Sequence, residues 1–270
     1  MSTANTTYEV RETLLKLESI SHSYNGRPIL KDVNAEVKNV HIPGREQGQI
    51  IGLLGPSGVG KTTLFRILAG LMEPTSGRAL LGADAHPVKR GTVGVVAQDY
   101  PLFAHRTVLS NLLVATDNDA AKAMSMLERF GMAEHAKKYP IQLSGGQRQR
   151  VAIAQQLLCS EFLVLMDEPF SGLDPVAVQN VIKLLGEAAA VDEHKTFVLV
   201  THDIEAAIET CDTLWLLGRD RDEKGQPIPG ARVQKVIDLM ERGLAWREGI
   251  TRDPEYLRVL AEIQSLFPKL

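Results

Sequence analysis

The stretch GPSGVGKTT constrains the fold of this chain more than any other, because it fits the pattern G-x-x-x-x-G-K-[ST] from Gly55 to Thr62. It follows the short apolar run QIIGLL and precedes KTTLFRILAGL, whose apolar residues recur at helical spacing. A glycine-rich turn between a buried strand and a helix directs backbone N–H groups at phosphate oxygens, and the helix N-terminus adds its positive end. The pattern therefore predicts a phosphate-binding turn in an α/β fold, and residues 55–62 are called the phosphate loop below.

The residue types in this turn have direct physical roles. Its glycines let the backbone wrap tightly around phosphate. Lys61 is expected to reach the β- and γ-phosphates of a nucleotide, and Thr62 to offer its hydroxyl to Mg²⁺. The alternative is an ordinary glycine-rich turn without a ligand. The predicted nucleotide-binding residues of this stretch are Gly55, Pro56, Ser57, Gly58, Val59, Gly60, Lys61, Thr62 and Thr63.

A second predicted site lies at the end of FLVLMDEP, where Asp167 and Glu168 follow an apolar strand pattern. Asp167 is expected to hold Mg²⁺, usually through water, because this ion keeps much of its hydration shell. Glu168 is then free to act as the general base toward an attacking water. The alternative is a solvated acidic turn, but two carboxylates at the end of so apolar a strand favour a site.

Two strand patterns occur along the chain. Residues 14–38 alternate apolar and polar, as antiparallel strands with one wet face do, and the polar stretch 38–48 is predicted to be a loop. The runs QIIGLLG, VGVVAQ, FLVLMD and TFVLVTH are short and apolar, and helical patterns separate them. This alternation predicts a parallel sheet with ligand groups at the carboxyl ends of its strands.

The interval from 99 to 160 breaks the alternation, because it contains successive helical patterns and no strand signal. We therefore predict a core formed by 1–98 and 161–240, an α-helical subdomain inserted at 99–160, and a helical tail at 241–270. Within the tail, the pair Asp253-Pro254 predicts a helix start.

Composition excludes several classes of protein. The 270 residues are 44% hydrophobic with a net charge of -3, which suits a soluble globular protein and gives no support to a nucleic-acid partner. Cys159 and Cys211 are expected to be buried reduced thiols, as in a reducing cytosol. The N-terminus lacks the apolar core of a secretory signal, and no stretch approaches the ~18 apolar residues of a membrane span. We therefore expect any membrane role to come through a partner.

The motifs GPSGVGKTT, LSGGQRQR and FLVLMDEP occur in this order, and with them the region of about residues 14–240 resembles the ATP-binding subunits of ABC transporters. LSGGQ is similar to the signature motif of that family. The resemblance implies an α/β fold of the P-loop NTPase (RecA-like) type, with a parallel sheet core, an N-terminal antiparallel β-subdomain and an inserted α-helical subdomain. It also implies hydrolysis of ATP with Mg²⁺, coupled to transport.

The resemblance gives the signature motif a role that its residues alone do not reveal. It implies that two such subunits pack head to tail, with each ATP between the phosphate loop of one and the signature of the other. Ser144, Gly145, Gly146 and Gln147 would then bind nucleotide at a helix N-terminus. An ordinary helix start capped by Ser144 is also expected, but it leaves two glycines unexplained, because glycine is costly in a helix.

Four further residues match the family's functional positions. Tyr24 would stack on adenine, although a strand tyrosine packed at a turn is the alternative. Gln98 would contact Mg²⁺ and the attacking water and link to the membrane partner. Asp174, in SGLD, would cross the dimer interface, and His202 would touch the γ-phosphate. For the last residue the alternative is a structural histidine.

One departure from the family pattern follows the signature, where AQQL stands in place of the frequent ARAL. Gln155 and Gln156 are therefore expected to alter packing of the helical subdomain without contacting nucleotide. The catalytic set implied by the resemblance is complete, with Glu168, His202 and Gln98, so we expect a hydrolytically competent site.

The resemblance also implies partners: a second nucleotide-binding subunit and an integral-membrane permease that docks near 98–111. Leu102, Phe103, Val108 and Leu109 would supply apolar contacts, unless they belong to the subdomain core. The string LFAHRTVLSNL is most like importer subunits of the nitrate, sulfonate and taurine branch. An extracytoplasmic solute-binding protein and a peripheral place on the cytoplasmic face of the inner membrane would follow.

Two alternatives stay open at this point. The same motor could serve an exporter or a lipid-transfer complex. An ABC protein acting on ribosomes or DNA is less compatible with the sequence, because this chain has one nucleotide unit, a net charge of -3 and no heptad run. The solute and the roles of the 38–48 stretch and the tail are not indicated by the sequence.

Overall fold

The computed structural model describes residues 8–44, 47–97, 99–160, 162–247 and 249–270. One mixed sheet of ten strands dominates this part of the chain. Its strands are β1 (Glu9–Tyr24), β2 (Arg27–His41), β3 (Gln49–Leu54), β4 (Ser76–Leu81), β5 (His86–Pro87), β6 (Val93–Val96), β7 (Leu163–Asp167), β8 (Thr196–Val200), β9 (Thr213–Arg221) and β10 (Pro227–Asp238). Their order across the sheet is β5-β4-β1-β2-β10-β9-β3-β8-β7-β6.

The parallel half of the sheet runs β6-β7-β8-β3-β9. Every residue of β3 and β8 is buried, which explains why these segments are continuous apolar runs rather than alternating ones. Because the strands are parallel, their carboxyl ends meet at one edge of the sheet. The three segments that follow β3, β7 and β8 are therefore brought together there.

The antiparallel half consists of β5, β4, β1 and β2, with β10 joining it to β9. β2 continues to His41, so the prediction that 38–48 is entirely loop was wrong for its first four residues. The cause is that Val37 and Val40 are both buried and pair with Leu15 and Val10 of β1, which extends the hairpin.

Seven α-helices complete the described part of the chain, and they are α1 (Lys61–Leu68), α2 (Val108–Leu113), α3 (Ala120–Arg129), α4 (Gly145–Cys159), α5 (Pro175–Ala189), α6 (Ile204–Thr210) and α7 (Pro254–Leu266). Helices α2 to α4 lie between β6 and β7, within the interval 99–160. The division into domains at the predicted bounds stays a prediction.

The tail contains less helix than predicted. α7 begins at Pro254 with Asp253 as its N-cap, as the sequence predicts, but residues 241–247 form turns. Gly243 and Gly249 both have φ of 67°, a left-handed conformation that interrupts a helix. This segment still contributes buried Leu244 to the core, so its apolar residues reflect packing rather than helical periodicity.

The two glutamines that depart from the family pattern have defined contacts. Gln155 is 5% exposed, and its Nε2 donates to the Asn111 carbonyl of α2 at 2.8 Å. The Gln156 Oε1 accepts from the Val95 N–H of β6 at 3.0 Å. They tie α4 to a second helix and to the sheet.

Two further observations concern sequence expectations. Cys211 is buried, but Cys159 is exposed at the C-terminus of α4, so the expectation of two buried thiols was wrong for Cys159. Within the described ranges, none of the helices has both the length and the apolar character that crossing a membrane requires.

Candidate nucleotide site

Three predicted functional segments meet at the carboxyl edge of the parallel strands. β8 lies between β3 and β7, and Asp167 stands in register with Val200. The Glu168 N–H donates to the Val200 carbonyl at 2.8 Å, and the Thr201 N–H donates to the Leu53 carbonyl at 3.3 Å. These bonds extend the strand ladders into the loops and set the acidic pair and His202 beside the phosphate loop.

The phosphate loop is built tightly against the sheet. A Cβ on Gly55 would lie 2.5 Å from the Leu217 carbonyl oxygen of β9, so no other residue fits there without backbone movement. Lys61 Nζ donates to the carbonyls of Gly55 and Pro56 at 2.6 and 3.2 Å. The ammonium group is therefore folded over the loop, and it would leave these carbonyls to reach a phosphate oxygen.

The start of α1 differs from every other α-helix start in the described residues. Gly60 occupies its N-cap position with φ of 126° and offers no side chain to the first turn. The other helices have side-chain caps, which are Thr107, Asp119, Ser144, Asp174, Asp203 and Asp253. The N–H groups at the start of α1 thus lack the usual side-chain acceptor, as an anion site requires.

The charges of the site fit a bound cation and polyphosphate. Burial raises the pKa of Asp167, the neighbouring Glu168 carboxylate raises it further, and the Lys61 cation opposes both. Burial lowers the pKa of Lys61, against the opposing effect of Glu168 and then Asp167. Asp167 and the exposed Thr62 hydroxyl offer oxygen ligands of the kind that Mg²⁺ prefers, so these residues fit that ion.

The predicted general base has a side-chain partner. His202 Nδ1 lies 2.8 Å from the Glu168 carboxylate oxygen Oε2. Glu168 also has φ of 48°, a left-handed conformation that costs energy in a residue with a side chain and that clusters at functional sites. The structure thus joins His202 and Glu168 into one hydrogen-bonded pair, a contact that the sequence did not predict.

The signature motif forms the first turn of α4. The Ser144 Oγ accepts from the Gln147 N–H at 3.3 Å, and the Gln147 Oε1 accepts from the Ser144 N–H at 3.0 Å, which makes a reciprocal capping box. A Cβ at Gly145 or Gly146 would meet no atom within 4 Å. The side chain of Gln147, predicted to bind nucleotide, is therefore already used inside the chain, while the two glycines stand open.

The signature and the phosphate loop are not joined in this chain. Across the described residues, no hydrogen bond links residues 144–147 to the phosphate loop or to Asp167 and Glu168. A single copy of the chain brings together the phosphate loop, the acidic pair and His202, but it does not bring the signature to them.

The remaining predicted residues have varied surroundings. Tyr24 is 43% exposed and its ring packs edge-on against His22, with centroids 4.8 Å apart, so its outer face is available. Asp174 caps α5 by accepting from the N–H groups of Val176 and Ala177 at 2.9 Å each. Gln98 lies outside the described residues.

The predicted permease contacts separate into two groups. Phe103 is 47% exposed, whereas Val108 is wholly buried in the core, so the structural alternative holds for Val108. Leu102 and Leu109 are partly buried and pack against the same core. Val108 begins a helix whose first turn packs inward, which sequence periodicity over only six residues could not show.

Two residues at the site escaped sequence reasoning. Arg219 of β9 donates from Nη2 to the Gly58 carbonyl at 2.8 Å and so holds the phosphate loop from outside. The Tyr100 hydroxyl accepts from Gln149 Nε2 of α4 at 2.8 Å and lies 3.4 Å from the Pro169 carbonyl, next to Glu168. Burial raises the pKa of Tyr100 to about 12. Neither residue belongs to a sequence motif, although Tyr100 stands two positions after Gln98.

Comparisons with known proteins agree with this geometry. Residues 39–171 match the ABC transporter family. The aliphatic sulfonates import ATP-binding protein SsuB 1 of Rhodococcus jostii (strain RHA1) is 36% identical over 87% of this chain and 90% of its own length. The sulfate/thiosulfate import ATP-binding protein CysA 2 of Rhizobium meliloti (strain 1021) is 35% identical over 78% of this chain and 59% of its own length.

Among solved structures, cbiO1 from Clostridium perfringens, part of the ABC transporter complex cbiONQ, superposes with a TM-score of 0.70 at 28% identity. That alignment covers 94% of this chain and all of the other. The predicted α/β fold is thus confirmed. With the phosphate loop, the acidic strand end and the signature in one chain, these matches show that the protein belongs to the ABC transporter family of ATP-binding proteins, whose members are ATPases coupled to transport.

Proposed function

We propose that two copies of this chain pack head to tail and hydrolyse ATP between the phosphate loop of one and the signature motif of the other. The observation that carries this proposal is the open pair Gly145 and Gly146. Nothing within 4 Å inside the chain requires a glycine at either position, although glycine weakens a helix. A ligand brought by a second copy supplies the missing reason, because phosphate needs close approach to a bare helix N-terminus.

In the proposed mechanism, the loop N–H groups and Lys61 hold the phosphates, and the exposed ring of Tyr24 packs on adenine. Mg²⁺, when bound by Thr62 and Asp167, supplies positive charge that offsets the phosphate oxygens. Glu168 takes a proton from the attacking water as general base, and the Nδ1 atom of His202 holds its carboxylate in place.

The other predicted site residues complete this proposal. Gln98 is proposed to contact Mg²⁺ and the attacking water. Asp174 is proposed to reach across the dimer from the start of α5. Ser144 and Gln147 shape the signature turn that faces the γ-phosphate, and His202 is proposed to contact that same phosphate once the dimer closes.

The test of the nucleotide site is the Glu168→Gln variant. This change keeps the side-chain volume but removes the base, so ATP should bind without turnover and trap a dimer. Sedimentation with ATP and Mg²⁺ should show a shift from monomer to dimer, whereas ADP should leave a monomer. A variant that binds ATP yet stays monomeric would exclude the head-to-tail arrangement.

We further propose that the chain drives import of a small oxyanion such as a sulfonate, sulfate or nitrate, or of taurine, through a permease that docks near 98–111. The sulfonate and sulfate import relatives support this choice. Exposed Phe103 and the cation–π contact of Arg106 with its ring, at 5.6 Å, offer a mixed apolar and basic surface for a permease helix. The chain would then sit on the cytoplasmic face of the inner membrane.

Affinity purification of the tagged chain from gently solubilised membranes of its native host tests the transport assignment. We expect a permease and an extracytoplasmic solute-binding protein to co-purify. Calorimetric titration of that binding protein with sulfonates, sulfate, nitrate and taurine would then identify its ligand. A permease without a binding protein would point instead to an exporter or lipid-transfer system. A complex without any membrane protein would exclude both.

A further inference from the structure

A histidine outside every recognised motif contacts the signature. His135 lies in the short 3-10 turn Ala133–His135, and its Nε2 is 2.9 Å from Nε2 of Gln147. The orientation of the Gln147 amide is determined independently, because its Oε1 accepts from the Ser144 N–H at 3.0 Å. The atom that Gln147 presents to His135 is therefore its NH₂ donor.

This geometry dictates the tautomer of His135. An NH₂ group can only donate, so Nε2 of His135 must carry a lone pair and accept. In the neutral ring the proton then sits on Nδ1. Nδ1 of His135 is buried and has no hydrogen-bond partner within the described residues. The ring thus accepts from the signature while leaving its own N–H unsatisfied.

An unsatisfied buried donor lowers stability, and a native protein retains one where it serves another purpose. An apolar side chain would fill the same place without that cost. The histidine is therefore better explained by its effect on Gln147 than by the stability of the helical subdomain.

We propose that His135 is a positioning residue for the signature motif. By accepting from Gln147 Nε2, it fixes the amide whose oxygen accepts from the Ser144 N–H. It so holds the turn of Gly145 and Gly146 ready for the γ-phosphate of the ATP bound by a second copy. This inference rests on the proposed function, because the turn meets a ligand only in the dimer. His135 touches no nucleotide itself.

The proposal separates two properties that a merely structural residue would lose together. His135→Leu removes the acceptor and also the unsatisfied N–H, so the unfolding midpoint should stay the same or rise. ATP-dependent dimerisation should weaken, by about fivefold for the hydrogen bond lost at each signature and about 25-fold for a dimer containing two. His135→Gln places an acceptor oxygen at a similar distance and should restore most of the affinity.

The experiment measures the dimer dissociation constant of the Glu168→Gln chain with ATP and Mg²⁺ by sedimentation, alone and with each second change. His86→Leu is the matched control, because the side chain of His86 is 67% exposed on the remote strand β5. ATP binding to the monomer, followed with a fluorescent analogue, should be the same in every variant.

The outcomes distinguish the two proposals. If Glu168→Gln does not dimerise, the proposed function fails and this inference fails with it. If it dimerises and His135→Leu matches it, or if His135→Leu loses thermal stability in parallel, only the role of His135 is overturned. The ¹⁵N spectrum of the imidazole gives an independent check, since a proton on Nε2 instead of Nδ1 would contradict the assigned contact.

Discussion

The chain contains two glycine-rich helix starts, and they differ in whether contacts within the chain require glycine there. At the start of α1, Gly55 faces the Leu217 carbonyl and Gly60 has φ of 126°, so the fold itself requires glycine. At the start of α4, Gly145 and Gly146 have open space around them and Ser144 caps the helix. Contacts within one chain explain the glycines of the first turn. No contact within the chain explains those of the second, and the proposed head-to-tail dimer would supply the reason.

The largest expected effect is on ATP hydrolysis and comes from a change in the phosphate loop. Lys61→Ala removes the ammonium group that would hold the β- and γ-phosphates, and it should lower ATP hydrolysis by about 100- to 1,000-fold. Phosphate release at saturating ATP measures this, with the remote exposed Lys224→Ala as control. Turnover near that of the unchanged chain would contradict the assignment of the phosphate loop.

A matched pair of alanine variants addresses the comparison directly. Gly55→Ala places a Cβ 2.5 Å from a backbone oxygen and should cost about 1–3 kcal/mol of unfolding free energy. Gly145→Ala meets no atom within 4 Å and should leave stability unchanged or raise it by up to about 1 kcal/mol. Urea unfolding of both variants gives the two values, and equal losses would refute the contrast.

A bulkier change at the second turn extends the contrast to function. Gly145→Leu should leave ATP binding to the monomer unchanged, since the phosphate loop is untouched, but should abolish hydrolysis by blocking close approach of the second copy. Loss of both properties together would mean that the signature supports nucleotide binding within its own chain.

A loss of stability similar to that of Gly55→Ala is expected at the contact between Tyr100 and Gln149 of α4. Tyr100→Phe leaves the buried amide of Gln149 without its acceptor and should cost about 1–3 kcal/mol of unfolding free energy. Adding Gln149→Leu removes the orphaned amide, so the double variant should recover much of this loss. Tyr139→Phe, at an exposed ring, serves as control. If the two single changes simply add, Tyr100 does not act through Gln149.

What the sequence predicted well is local along the chain. The phosphate loop between β3 and α1, the acidic pair at the end of β7 and the signature at the start of α4 are contiguous stretches that lie on the elements the sequence predicts, while their chemical roles stay predictions. Four of the five parallel strands, β3, β6, β7 and β8, were predicted for the same reason, because strands buried on both faces are continuous apolar runs. The N-cap role of Ser144 was predicted as well, whereas the reciprocal bond from its N–H to Gln147 Oε1 was not.

What the sequence did not predict depends on contacts between distant segments. Arg219 reaches Gly58 across 161 positions, and His135 meets Gln147 only after the 3-10 turn and α4 have packed. β9 and β10 were not predicted, and the burial of Val108 follows from packing around a six-residue helix. No pattern within one segment carries such information.

The smallest expected effect concerns the charge of Asp167. Because burial raises the pKa of Asp167 in the folded chain, the ionised form of Asp167 is disfavoured there relative to the unfolded chain. Asp167→Asn should therefore raise the thermal midpoint slightly at neutral pH, and this gain should shrink as the pH falls through the raised pKa toward the ordinary 3.8. The same change should remove the extra stability that Mg²⁺ adds with ATP, since a proposed ligand is lost. Scanning fluorimetry between pH 7 and pH 5, with and without Mg²⁺ and ATP, measures both effects. A midpoint that falls at neutral pH would mean that attraction between the Asp167 carboxylate and the Lys61 cation outweighs the cost of burying that carboxylate.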